Sequence, residues 1–175
     1  PVDLKRQGRT LSEVEEPRED EPLVDIGSYC LMPNHFHFLV RERQEHGIST
    51  FAQKVLTGYT MYFNKRYERT GALFQSKFKA IHVDEDRYLN YLISYIHLNP
   101  VKLIEPEWKE NGIMNRERAE KYLKSYRYSS YLDYLCPEQS RPEQMIIERD
   151  CLPEYFSEGA DFKKHVTEWL TYKSE

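Results

Sequence analysis

No stretch of this sequence stays apolar long enough to cross a bilayer. No basic-then-apolar leader opens it, so the expected location is cytoplasmic. Cysteine is scarce. Cys30, Cys136 and Cys151 are an odd number with none of the paired spacings of zinc sites, so neither a disulfide framework nor a structural zinc is expected. Basic charge is not in excess either. Twenty-five Lys and Arg against 29 Asp and Glu leave a net charge of -4, which weakens the simplest argument for a nucleic-acid protein. There is no internal repeat and no low-complexity tract. What is present is 39% hydrophobic and 31% charged residues over 175 positions, enough for a soluble folded domain with its own core.

The charge is unevenly spread. Between Lys54 and Lys79 lie Lys54, Lys65, Arg66, Arg69, Lys77 and Lys79, with Glu68 as the one acid. The acids gather elsewhere, from Glu13 to Glu21, while Glu138 to Asp150 is mixed. A local positive strip is compatible with binding a phosphate backbone. Tyrosine outnumbers phenylalanine, fourteen to eight, and tyrosine both packs in cores and stacks on bases.

The pattern predicts a strand over 23–31, a turn at Met32-Pro33-Asn34, and a second strand over 35–40. Gly27 makes the first strand imperfect. A helix follows to about Tyr67, with Ile48, Phe51, Val55, Tyr59 and Tyr62 at helical spacing and Ser49 or Thr50 as cap. Leu73–Phe74 and Phe78–Val83 read as short extended pieces. Asp84 reads as the N-cap of a helix over 85–98, which Pro100 stops. Further helices are expected over 116–123, 129–135 and 161–172, the last through Phe162, Val166, Trp169 and Leu170. Domain boundaries are expected at 1–22 (an acidic arm or truncated start), 23–135 (the main domain) and 136–175 (an irregular segment and helix).

Two pairs of residues carry candidate chemistry. His35 and His37, two apart in a strand, put both rings on one face, and neutral imidazole is a good ligand for divalent metals. Two hydrogen-bonded surface histidines would give the same string. Tyr95 and Asn99, four apart at a helix end, can point a phenol and an amide into one site. An amide oxygen suits Mg²⁺ or Mn²⁺. A phenol is a weak nucleophile near neutral pH because its ordinary pKa is about 10. By periodicity alone Tyr88, Tyr91 and Tyr95 read equally well as core aromatics.

The string Tyr29-Cys30-Leu31-Met32-Pro33-Asn34-His35-Phe36-His37-Phe38-Leu39-Val40 resembles the histidine–hydrophobic–histidine strand of the IS200-like single-tyrosine (HUH, Y1) transposases, and most of all the group associated with repetitive extragenic palindromes (REP). Tyr62 to Arg66, Gly71 to Lys79, Tyr95 to Lys102, and Tyr126 to Tyr131 resemble further blocks of that family in the same order. The likeness spans roughly Tyr29 to Leu135. It implies an α+β fold, a ferredoxin-like antiparallel sheet with packed helices. It implies His35, His37 and Asn99 as metal ligands for Mg²⁺ or Mn²⁺. Tyr95 is then the nucleophile that forms a 5′-phosphotyrosine link and frees a 3′-hydroxyl. The implied activity is cutting and rejoining of single-stranded DNA beside hairpins, by a monomer or a homodimer.

The stretch ahead of Leu23 does not read as the strand and helix with which that family starts. Either the chain lacks that first strand and helix or it is a fragment, and a sheet edge is expected to be exposed. Arg66, Arg69, Lys77, Lys79 and Lys102 are candidate phosphate contacts and Phe74 a candidate base-stacking ring. Two other readings stay open. One is a domesticated relative that binds hairpin DNA with weak or no catalysis. The other is a metal-dependent phosphodiesterase in which water attacks, although no general base stands beside the histidines in the sequence.

Overall fold

β-Branched and aromatic residues flank a Pro-Asn turn, and they form a hairpin of strands β1 (Val24–Leu31) and β2 (Phe36–Glu42). The Met32 N–H donates to the His35 carbonyl at 2.8 Å and closes the turn. In this computed structural model, which describes residues 21–139, 141–152 and 159–171, the hairpin is followed by helices α1 (Gly47–Arg66), α2 (Asp86–Leu98), α3 (Trp108–Asn111), α4 (Arg116–Ser125), α5 (Tyr131–Leu135) and α6 (Gly159–Thr171). The fold is α+β, with one small antiparallel two-stranded sheet among the described residues. The acidic arm expected at the N-terminus falls mostly on residues 1–20, outside the described residues, as do Pro153 and the side chains of Trp169 and Leu170.

The chain divides into two compact units. The larger comprises Ile26–Arg41 and Val83–Glu175. Its core is the inner face of α2 (Ile93, Leu98) with Val101, Leu123, Tyr131, Tyr134, Phe162 and Val166. Helix α6 packs on both α2 and α5. Burying these side chains at roughly 1.5–3 kcal/mol each is what holds the short helices in place. His97 is fully buried among them. Its Nδ1 donates to the Ile93 carbonyl at 2.8 Å and its Nε2 sits 2.8 Å from Ser130 Oγ. Nearby, the buried Asp133 carboxylate takes Arg141 Nη2 at 2.6 Å, and the same guanidinium reaches the Ser129 carbonyl at 2.7 Å.

The β1 edge is less bare than expected. Cys30 forms an isolated antiparallel bridge with Ser129, the Leu31 N–H donates to the Tyr128 carbonyl at 2.8 Å, and the Ser130 N–H donates to the Tyr29 carbonyl at 3.0 Å. Gly27 is also explained. A Cβ there would lie 2.8 Å from Cys151 Sγ and 2.9 Å from a Leu152 methyl, so the strand admits no side chain at that point.

The smaller unit comprises the chain up to Asp25 and Glu42–His82. Helix α1 begins earlier than Ser49. Its N-cap is His46 in the left-handed region (φ 61°), and the Glu42 carboxylate accepts from the Ile48 N–H at 3.1 Å, supplying the cap from the preceding strand. Gly47 is required there, because a Cβ would stand 2.2 Å from the Leu23 carbonyl oxygen. The apolar stripe of α1 leaves Val55, Tyr59 and Tyr62 exposed. After the helix, the Asn64 amide donates to the Gly71 carbonyl at 2.8 Å and folds the chain back. Residues 73–74 and 78–83 form no paired strand. In the larger unit, α2 is capped by Glu85 in extended geometry rather than by Asp84, with no side-chain hydrogen bond.

Candidate active site

His35 ends the hairpin turn and His37 is the second residue of β2. Their rings lie 5.1 Å apart, edge to face. His35 Nδ1 is 2.7 Å from Asn34 Oδ1. An amide oxygen only accepts, so Nδ1 carries the proton and Nε2 presents a lone pair. His37 Nε2 is buried and has no hydrogen-bond partner. Burial, then the neighbouring His35 and Lys109, push the His37 pKa down to about 4. Burial, then Lys102 and Lys109, lower that of His35. Both imidazoles are therefore neutral at pH 7.

Tyr95 lies in the last turn of α2, its ring 5.5 Å from that of His37. Tyr91 stacks on it at 5.8 Å, and Tyr88 on Tyr91 at 6.1 Å, a ladder of tyrosines along α2. One turn on, Asn99 is buried and donates from Nδ2 to the Tyr95 carbonyl at 3.3 Å. It stays in helical geometry and starts a 3-10 turn, Asn99–Leu103, because Pro100 has no N–H to continue the α-helical ladder.

Lys109 completes the group. Its Nζ donates to the Tyr95 hydroxyl at 2.8 Å and lies 4.2 Å from the ring centroid. Burial raises the Tyr95 pKa, but the hydrogen bond from Lys109, the neighbouring Asn99 amide and the charges of Lys109 and Lys102 outweigh it, so the net shift is downward. The full charges acting on these three rings are those of Lys102 and Lys109, both positive, which suits an anionic ligand.

The structure thus brings His35, His37, Tyr95, Asn99 and Lys102 into one unit. Arg66, Arg69, Lys77, Lys79 and Phe74 belong to the smaller unit. There Arg69 lies 5.6 Å from the Phe63 ring, Arg66 6.0 Å from the Tyr67 ring, and Phe74 6.3 Å from Tyr59, while Lys77 and Lys79 are exposed. Among the described residues no three His, Cys, Asp or Glu side chains cluster. Sequence reasoning missed Lys109. It sits in a proline- and charge-broken connection, and only the packing of Trp108 against the core delivers it to Tyr95.

A model of the family described as "Transposase IS200 like" matches residues 7–99. The match begins inside the acidic N-terminal stretch and ends on Asn99. No curated protein and no solved structure matches the chain.

Proposed function

Because the chain belongs to the IS200-like transposase family, we propose that it is a metal-dependent single-stranded DNA nickase and ligase of the REP-associated type, acting beside hairpins with Tyr95 as nucleophile. Its fold is then a reduced form of the ferredoxin-like sheet. The observation that carries the reading is the Tyr95 phenol, flanked by the His37 ring at 5.5 Å and by the Lys109 ammonium at 2.8 Å.

In the reaction, the Tyr95 oxygen attacks the phosphorus of a DNA phosphodiester. A bond from Tyr95 to the 5′-phosphate forms as the bond to the 3′-oxygen breaks. The phenol proton is lost and the departing 3′-oxygen takes one up, so the step needs neither ATP nor a redox partner. Attack by a 3′-hydroxyl on the phosphotyrosine reverses it and rejoins the strands.

The residues fit a divalent cation, Mg²⁺ or Mn²⁺. His37 Nε2 is a buried nitrogen with no partner, His35 is oriented by Asn34 with its Nε2 lone pair outward, and both rings are neutral at pH 7. His35, His37 and the Asn99 amide oxygen would hold it. Such an ion supplies Lewis-acid polarisation of the phosphodiester. Asn99 also ties its amide to the Tyr95 carbonyl, one helical turn back.

The test is a covalent one. With Mn²⁺ and a pool of single-stranded stem-loop oligonucleotides with randomised flanks, wild type is expected to form a denaturation-resistant adduct that peptide mapping assigns to Tyr95, and Tyr95→Phe to form none. An adduct on Tyr95→Phe would defeat the assignment. Hairpin binding with no adduct by wild type would instead favour a DNA-binding relative without catalysis, and cleavage with no adduct would favour attack by water.

A further inference from the structure

We propose that Lys109 is a second catalytic residue of this site, a cation that holds the Tyr95 oxygen for attack and then binds a non-bridging oxygen of the phosphotyrosine that results. The inference rests on the strand-transfer reading. Lys109 lies ten residues beyond the segment that the family model matches.

The geometry is built rather than incidental. Trp108 packs against the core cluster formed by α2, α4, α5 and α6. The Glu105 carboxylate accepts from the Met114 N–H at 2.8 Å and the Asn115 N–H at 3.2 Å, and the Glu105 N–H donates to the Val101 carbonyl at 2.8 Å. These bonds brace the segment from the Tyr95 helix end to α4 and carry α3 with it. Lys109 is exposed, yet it ends on one atom, the phenol oxygen.

Chemistry then fixes what Lys109 meets. When the Tyr95 oxygen bonds to phosphorus, the non-bridging oxygens come within about 2.5 Å of it by ordinary P–O geometry. An ammonium 2.8 Å from the same oxygen is within hydrogen-bond reach of one of them. Lys109 keeps its three protons throughout. It lends charge where negative charge gathers in the transition state, the role played by an oxyanion-hole donor. Lys102, which acts on both His35 and Tyr95, belongs to the same positive rim.

Lys109→Met and Lys109→Arg are compared with wild type in single-turnover adduct formation with the stem-loop pool and Mn²⁺. Lys109→Met is expected to slow the adduct by about 10²-fold, the usual loss for one such donor. Lys109→Arg, which keeps the charge and a donor, is expected to recover most of it. A second readout needs neither metal nor turnover. Binding of the same pool to Tyr95→Phe and to Tyr95→Phe/Lys109→Met is followed by anisotropy across a salt series without metal. The double variant is expected to lose about 0.7 from the slope of log affinity against log salt, the share of one phosphate contact on a single strand. Wild-type adduct rates in Lys109→Met with an unchanged slope would overturn the role of Lys109 and leave the strand-transfer reading standing. No adduct from wild type under any condition would overturn both.

Discussion

At the scale of single residues, burial decides which histidines can act. His35 and His37 sit where a ring nitrogen is available. His97, two residues beyond Tyr95, does not, since both its nitrogens are committed inside the core between Tyr131, Tyr134 and Phe162. Two residues on from Tyr95 along a helix, it points into the core and away from the phenol. Burial holds its pKa down to about 4, against an ordinary 6.5. The unfolded chain therefore binds a proton between those values that the folded chain refuses. Stability is complete above pH 6.5 and falls as the pH drops towards 4, by about 3 kcal/mol from this one residue. Denaturant unfolding at pH 7 and pH 4.5 tests this. His97→Gln should be less stable than wild type at pH 7 but should lose markedly less between the two pH values. An identical pH slope in the two proteins would show that His97 is not the group responsible.

At the scale of elements, three glycines separate what pattern reveals from what packing adds. The hairpin, α1, α2 and α4 to α6 were legible because period-2 and period-3.6 patterns and the Pro33 and Pro100 breaks mark them. Helix caps were not legible. Ser49, Thr50 and Asp84 have the right chemistry, but Glu42 and the backbone before each helix supply the start instead. The glycines look alike in sequence and differ in space. Gly58 has nothing within 4 Å of where a Cβ would stand, in the middle of α1. Gly58→Ala is therefore expected to stabilise the protein by about 0.5–1 kcal/mol through helix propensity and unfolded-chain entropy. Gly27→Ala meets Cys151 and Leu152, and Gly47→Ala meets the Leu23 carbonyl. Both are expected to destabilise, by about 1–3 kcal/mol as overpacking does. Thermal melts of the three variants check the ordering, and a destabilised Gly58→Ala would contradict the open space beside it.

At the scale of the whole molecule, the net charge of -4 is a poor guide because charge is partitioned. The candidate site was largely legible. His35, His37, Tyr95 and Asn99 stood out as two short motifs, and the larger unit contains all four. Lys109 was illegible because no local rule links a lysine in a broken connection to a phenol fourteen residues earlier. The basic run from Arg66 to Lys79 was legible as charge, but it lies in the other unit, where Arg66 and Arg69 face rings and Lys77 and Lys79 face solvent. If these four residues grip the DNA backbone, changing all of them to Ala should weaken single-strand binding at low salt. The salt slope should then fall by about 0.7 for each phosphate that is no longer neutralised. The adduct rate at saturating DNA should stay near wild type, because a contact that only holds the strand is already made at saturation. An unchanged slope would mark the run as a solvated face. A collapse of the saturated rate, with binding intact, would mean that these residues take part in the chemical step as well.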